Sequence, residues 1–488
     1  MKFRRYTVSV GLESIPGLGP GEYSLDIHSI VTTLSKTRFW NLSLKVIETL
    51  KCGANRAPDV PKVTTNTNNE PALDEFARTA PGEFMAGAAA VDITPLDPQN
   101  MLLAGFDYNR RCTGVNDPIF ARAMVLWDGH VPMVIVTVDL IGLSIERTSY
   151  IRSLITRDFS GSVFIVSTHN HQAPDTLGMW GKSLGKRLPI QSGIDSVFMD
   201  QVVDGIVSAV KKALLNMRAA DVFFASGLFD KKGRWIRNDR SGVLDRRMRL
   251  LHVRQPGGGA IATLVQHACH PETLWEDNTL VSGDFCSRCC LGVEKTLGGV
   301  ALYANGALGA MVTGAIGHDS TMEDRLEFVD ELGIQMARSA VRLARRSLKT
   351  PIDSPTIKTA STVVELPKEG NPYFQLLVAL GVVERRELAG GFLTEMGLAK
   401  VGPIFFLGLP GEPSPELGLE LLSRIAVDTG FILGLSNDEL GYLIPPEFFW
   451  DPAYSYERTM SPGPMSSLNL SLGLEDLVRR IYNDRSSK

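Results

Sequence analysis

Long apolar runs, an excess of charge of one sign, and cysteine are all scarce in this chain of 488 residues. It contains no run of about 18 uninterrupted apolar residues, so no membrane-spanning helix is predicted. Lys and Arg number 50 against 54 Asp and Glu, a formal net charge of -4. The basic footprint of a nucleic-acid binder is therefore missing. Six cysteines in a chain of this length do not make a disulfide framework. Cys286, Cys289 and Cys290 cluster, whereas Cys52, Cys112 and Cys269 are scattered. A structural zinc site would need a second close pair, so the trio reads as small buried residues on a helix. The opening MKFRRYTVSVGLESIPGLG starts basic but has no sustained apolar stretch and no Ala-x-Ala-like cleavage site. No export signal is expected from it, which leaves the compartment open, with the cytoplasm favoured.

What is present is ordinary for a folded protein. Hydrophobic residues make up 44%, charged residues 21% and aromatics 8%, which argues against a disordered, collagen-like or coiled-coil chain. A chain of this size buries about three quarters of its unfolded surface and needs no staple to fold. Length alone allows two or three domains, or one large α/β domain with insertions. Residues 1–57 carry no clear motif and read as an accessory or poorly ordered segment. Residues 58–83, opening PDVPKVTTNTNNEP, have the Pro, Asn and Thr content of a linker. The main domain is expected over 84–488.

From Phe84 onward, strands and helices alternate. VPMVIVTVD (131–139) and SVFIVST (162–168) are short β-branched runs of the kind found in buried strands. Ile145–Thr156 between them reads as a helix. Phe198–Met217 reads as another, with Val203, Ile206, Val207, Val210 and Leu214 on one face. Further strands are expected at 221–226, 248–254, 260–267, 299–304 and 403–409. Helices are expected over Met322–Lys349, ending in a basic patch that suits the helix dipole, and over Glu475–Asn483. The alternation argues for an α/β fold.

Of only eight histidines, four fall in two tight clusters, each directly after an apolar strand. Strand ends are where α/β proteins place ligands. In Ser167-Thr168-His169-Asn170-His171-Gln172-Ala173-Pro174, an extended backbone would aim His169 and His171 at the same side. One imidazole could then bind a metal while the other contacts a water or substrate. In Gln266-His267-Ala268-Cys269-His270-Pro271, an extended backbone would aim His267 and His270 at opposite sides. One of the two is expected in a site and the other packed, and the spacing does not say which. Glu412 follows the strand PIFFLGL (403–409), in Leu409-Pro410-Gly411-Glu412-Pro413. It is either a charge at a helix N-terminus or the third ligand to two histidines supplied from elsewhere. Two histidines and a carboxylate would leave a zinc ion with net positive charge and room for a water.

Taken in order, these islands resemble the catalytic region of the neutral/alkaline (non-lysosomal) ceramidases. The resemblance begins at Ala86-Gly87-Ala88-Ala89-Ala90-Val91-Asp92-Ile93-Thr94-Pro95. It runs through Leu103-Ala104-Gly105-Phe106 and Ala121-Arg122-Ala123 to the strand ending in Asp139. Residues 167–174 are similar to the family's A-T-H-T-H-S-G-P motif, and Cys269-His270-Pro271 falls where its next zinc histidine lies. Ser282-Gly283-Asp284-Phe285 resembles the SGD segment, and Pro410-Gly411-Glu412 resembles the glutamate ligand motif.

The resemblance implies a large single catalytic domain over 84–488, with mixed β-sheets flanked by helices. It implies zinc (Zn2+) as cofactor, with His169, His270 and Glu412 as ligands. Tyr442, in Asn437-Asp438-Glu439-Leu440-Gly441-Tyr442, is the counterpart of a tyrosine that approaches the metal. Tyr456, before Glu457, matches a second active-site tyrosine able to donate to an oxyanion. Arg240, in Arg237-Asn238-Asp239-Arg240-Ser241, maps to a family arginine and is expected to stabilise the tetrahedral oxyanion with Tyr456. In the expected mechanism His171 shuttles a proton or orients the water.

The chain departs from the family at Gly309-Ala310-Met311-Val312-Thr313-Gly314, which aligns with a G-D-V-S-P-N hexapeptide. Val312 stands where that hexapeptide has its active-site serine. The family's C-terminal immunoglobulin-like domain is not expected in the sequence either. The implied activity is zinc-dependent hydrolysis of an amide bond in a small-molecule or lipid-like substrate, with ceramide itself set in doubt by Val312. The alternatives are a metallohydrolase acting on an ester or phosphoester, with Asp139 and Asp284 as the obvious extra acids, and a non-catalytic binding protein on the same fold. Asn305-Gly306-Ala307-Leu308-Gly309 reads as a tight turn beside the site, or as a purely structural one. His318-Asp319 is a further candidate for the pocket.

Overall fold

The computed structural model describes residues 83–483, except 157–160, 185–187, 315, 318, 349, 368–371, 386–390 and 426–427. The expected accessory segment 1–57 and all but the last residue of the linker 58–83 therefore lie outside the described residues, as does His318.

Three sheets of four or five strands carry the fold, and each contains one parallel pair. In the first sheet, Ser162–Ser167 lies parallel to Pro132–Val138, and Phe120–Trp127, Met85–Asp92 and Arg218–Ala219 continue it in antiparallel register. In the second, Val300–Asn305 runs parallel to Ala260–His267, followed by Arg247–Arg254 and Asp221–Leu228. In the third, Gly430–Leu433 runs parallel to Ile404–Gly408, followed by Gly391–Val401 and Ile357–Pro367. The fold is α/β with mixed sheets, as expected.

The inner faces of all three sheets meet in one core. Met124, Ile135 and Phe164 come from the first, Leu251, Leu264 and Leu302 from the second, and Val401, Phe406 and Phe431 from the third. Alternation along each strand sends the intervening side chains outward, where a pair of helices covers each sheet. Ile145–Ile155 and Ser196–Leu215 cover the first. Asp284–Leu297 and Met322–Ser347 cover the second. Pro415–Ser423 and Ser466–Asn483 cover the third.

Helix starts are fixed by side chains that satisfy otherwise unpaired backbone N–H groups. Asp195 caps Ser196–Leu215, and so this helix begins two residues before the apolar pattern suggests. Thr321 and Asp324 form a reciprocal capping box on Met322–Ser347. The last helix starts at Ser466, well before the expected Glu475. Its polar first half is a weak helix former, but Leu470, Leu474, Leu477 and Ile481 fall on one face and are buried against the third sheet. Among the described residues no helix is long and apolar enough to cross a membrane.

Two ties lock the first sheet to the third. Gly397 and Gly408 face each other across neighbouring strands and leave a slot for the Phe164 ring. A Cβ at Gly397 would lie 2.6 Å from that ring, and one at Gly408 3.0 Å from it. The segment after Gly430–Leu433 also pairs with the edge of Ser162–Ser167. There the Asn437 amide accepts from Ile165 N at 2.8 Å and donates to Val163 O at 3.2 Å. Overpacking a dense core typically costs about 1–3 kcal/mol. Gly397→Ala is therefore expected to lower stability by about that amount in urea unfolding, and Phe164→Leu in the same chain to restore part of it. Unchanged stability in the single variant would mean that the slot is not tight.

Candidate active site

The six parallel strands end at one place, and the loops leaving their C-terminal ends build a buried polar cluster. His169 follows Ser162–Ser167. Its Nδ1 lies 2.8 Å from Ile141 O, in the loop after Pro132–Val138. A carbonyl can only accept, so Nδ1 carries the hydrogen and the lone pair of Nε2 points into the cluster. His270, after Ala260–His267, is held the same way, with Nδ1 2.8 Å from Met311 O. The same carbonyl accepts from the backbone N of His270 at 2.9 Å. The two Nε2 atoms converge on one oxygen, Oε2 of Glu412, at 3.3 Å from His169 and 2.9 Å from His270.

Glu412 leaves Ile404–Gly408 through Gly411, whose φ of 61° suits glycine. It lies in a short parallel pair with Tyr442. The Tyr442 hydroxyl is 3.4 Å from His270 Nε2. His171 completes the group, with ring centroids 4.9 Å from His169 and 5.7 Å from His270. It is buried, and neither ring nitrogen has a hydrogen-bond partner.

The expected extended path from His169 to His171 is not what brings these rings together. His169 has a φ of 64°, a left-handed conformation uncommon for a residue other than glycine. The chain therefore turns at His169 rather than running straight on. His171 is seated instead by Gly105, where a Cβ would lie 2.4 Å from the imidazole. The buried Arg110 adds to this by donating to the carbonyl oxygens of Ala104 and His171.

Several braces were not apparent from sequence. Asn305, at the end of Val300–Asn305, donates to Thr168 O at 2.6 Å and accepts from Cys269 N at 3.0 Å. One side chain thus ties the neighbours of both histidines. A polar residue closing an apolar strand beside two histidine loops was the available signal. Past it, Gly309 N donates to Pro413 O at 2.9 Å, and a Cβ there would lie 2.7 Å from Glu412 O. The turn after Asn305 does bring backbone against the site. Asp438 accepts from Arg385 at 2.5 and 3.0 Å, from Thr394 and from Ile145 N, and so anchors the loop that carries Tyr442.

The charges follow from this packing. Burial opposes ionisation of Glu412, but the two imidazoles beside it hold its carboxyl well below the usual range. Burial also lowers the pKa of His270, yet the hydrogen bond and charge of Glu412 outweigh it and raise the group to about 9. His171, buried among the other two rings, is pushed well below its ordinary value. Each of the three histidines offers a ligand atom, and these atoms all lie within 4.8 Å of one another. Three buried imidazoles with a carboxylate at their convergence point are a group that could hold a divalent metal.

Other candidates are placed elsewhere. His267 is packed edge-on against Phe229, and burial lowers it to about 4. His270 is therefore the member of that pair in the cluster. Asp139 accepts from Phe120 N and Ser287, and Asp284 from Thr273. Both carboxylates are committed to local structure rather than to a second ion. Cys286, Cys289 and Cys290 are buried on the helix Asp284–Leu297, and burial raises the Cys290 thiol to about 12. Val312 pairs with Arg237 in a short strand and supplies no hydroxyl.

The cluster opens into a cleft. Ile141, Leu177, Met179, Leu377, Val383 and Leu440 make much of its wall apolar. His169, His171, Glu412, Tyr442 and Tyr456 also face it, as does Glu439, which sequence reasoning passed over. Tyr456 is 56% exposed, and its ring lies 6.0 Å from that of Tyr442. Arg240 meets Glu457, with Nε to Oε1 at 2.6 Å. It is thereby tied to the short helix Ser455–Thr459 that carries Tyr456.

Residues 84–321 match the sequence profile described as neutral/alkaline non-lysosomal ceramidase, N-terminal. The fold is similar to that of the neutral ceramidase from Pseudomonas aeruginosa, with a TM-score of 0.66 and 16% identity. That match covers 82% of this chain and 74% of the other. A ceramidase complexed with C2 is similar at a TM-score of 0.67 and 15% identity, covering 82% and 75%. No curated protein matches the sequence.

Asn305→Ala breaks both ties between the histidine loops. It is expected to lower metal affinity roughly 10–100-fold, the usual effect of removing an orienting partner. Competition with a chelating dye measures this, and unaltered affinity would remove Asn305 from the support of the site.

Proposed function

On the match of residues 84–321 to the neutral/alkaline ceramidase N-terminal profile, we propose that this protein is a zinc-dependent hydrolase that cleaves an amide bond in a lipid-like substrate. The observation that carries this reading is the convergence of His169 Nε2 and His270 Nε2 on one oxygen of Glu412, beside an unpartnered His171. His169, His270 and Glu412 would hold the ion, with Tyr442 beside them. A zinc ion there supplies Lewis acidity toward a carbonyl and makes a water acidic enough to attack it near neutral pH.

The chain's own residues account for the rest. His171 has both ring nitrogens free of protein partners and a depressed pKa. It is suited to take a proton from the attacking water and to return it to the leaving nitrogen. The Tyr456 hydroxyl donates to the oxyanion as the carbonyl becomes tetrahedral. Arg240 acts through Glu457 by holding the helix that presents Tyr456. The apolar part of the cleft wall suits an acyl chain.

With Val312 in place of a serine, no side-chain hydroxyl enters the scheme at that position, and ceramide is not proposed as the substrate. A two-metal phosphoesterase is disfavoured because Asp139 and Asp284 are engaged elsewhere.

Metal analysis and an N-acyl amide panel test the reading together. The wild type is expected to carry about one zinc per chain, as a single site of this type would. His169→Ala is expected to lose metal while keeping its circular dichroism spectrum. Full zinc occupancy in that variant would remove His169 as a ligand. Tyr456→Phe is expected to retain metal and slow turnover by about 10²–10³-fold, the usual loss for one oxyanion donor. Turnover equal to wild type would exclude Tyr456 from the reaction.

A further inference from the structure

Glu439 lines the cleft but has no part in the cluster just described. It is 7% exposed. Its Oε1 accepts from Gly441 N at 2.6 Å, whereas Oε2 has no hydrogen-bond partner. The side chain is held in place by contact with Gly142, where a Cβ would lie 2.7 Å from both Cβ and Cγ of Glu439.

Burial, together with the nearby charge of Glu412, raises the pKa of Glu439 well above the usual carboxylate range, and the Arg385 guanidinium offsets this only in part. Arg385 gives its guanidinium to Asp438 and donates to the backbone carbonyl of Glu439. The other carboxylate facing the cleft, Glu412, is engaged by the two histidines. Among the other polar groups in the cleft, the Tyr373 hydroxyl is paired with that of Tyr108, and Thr459 donates to Tyr456 O. Glu439 is thus a buried acid on a largely apolar cleft, with one oxygen that has no hydrogen-bond partner. Interiors leave such an oxygen unmatched only at a cost, which a ligand cation would relieve.

We propose that Glu439 makes the cleft selective for amides that carry a protonated amine, its free carboxylate oxygen receiving the ammonium group while the acyl chain lies along the apolar wall. The proposal rests on the amidohydrolase reading for its substrate, but not for its binding event. A cation is favoured over a neutral donor because it would hold this buried acid in its ionised form as well as satisfy the oxygen.

The test uses dodecanesulfonamides, whose S–N bond resists hydrolysis, built on diamines of graded spacer length and on the matching amino alcohols and alkylamines. Binding is measured by calorimetry on the purified protein. The best diamine ligand is expected to bind wild type at least roughly tenfold more tightly than its hydroxyl and methyl counterparts, the range of a charged hydrogen bond. Glu439→Gln keeps the shape and an acceptor but removes the charge, and is expected to abolish that preference. Glu439→Leu serves as a second variant, and both are checked for unchanged thermal unfolding.

Equal binding of the ligands by wild type would overturn the proposal. So would a hydroxyl ligand that matches the diamine, or a preference that survives in Glu439→Gln. Turnover of the corresponding N-lauroyl amides is read separately. Absence of hydrolysis together with an ammonium preference that depends on Glu439 would sink the hydrolase reading and leave this inference standing.

Discussion

One carboxylate oxygen shared by two imidazoles is the contact around which the rest of this site is arranged. Oε2 of Glu412 can sit between His169 and His270 only because each ring is fixed from behind by a backbone carbonyl, Ile141 O in one case and Met311 O in the other. Those carbonyls take the Nδ1 hydrogens, so both Nε2 atoms face inward. If either carbonyl moved, its ring would be free to turn and the convergence would be lost.

The scaffold explains why six separate stretches of chain meet there. Each sheet devotes its one parallel pair to the same end of the molecule, and strand C-termini are where such pairs place function. The first sheet brings Ile141 and His169, the second His270 and Met311, and the third Glu412 and Tyr442. Their inner faces share a core, so the ends are held by bulk packing. Asn305 and Asn437 then fasten the loops to one another. The cleft beside the cluster is apolar apart from a few placed polar groups, the usual character of a pocket that orients a ligand by few contacts.

Much of this was legible before the structure. The strands 131–139, 162–168, 260–267 and 299–304 appear within a residue or two of their expected limits, because fully buried strands are written as continuous β-branched runs. His169, His270 and Glu412 stood out because rare polar residues followed such runs directly. Less legible were the strands Met85–Asp92 and Phe120–Trp127, whose many alanines give a weak β signal. The hairpin of Ile357–Pro367 and Gly391–Val401 was also missed, since its outer strand is largely solvent-facing. Asn305, Arg110 and Glu439 carry no local pattern, and their roles exist only in contacts distant along the chain.

Sequence by itself determined the elements and the residue types at their ends, because hydrophobic periodicity and capping act over a few neighbouring residues. It also carried the resemblance that joined the islands in order. Only the tertiary structure decided that His169 turns back in a left-handed conformation, that His270 and not His267 joins the cluster, and that Arg240 is spent on Glu457. Each of those outcomes depends on a partner roughly 30 to more than 200 residues away. Contacts at that separation are set by how the three sheets pack, and packing is a property of the whole chain that no local stretch records.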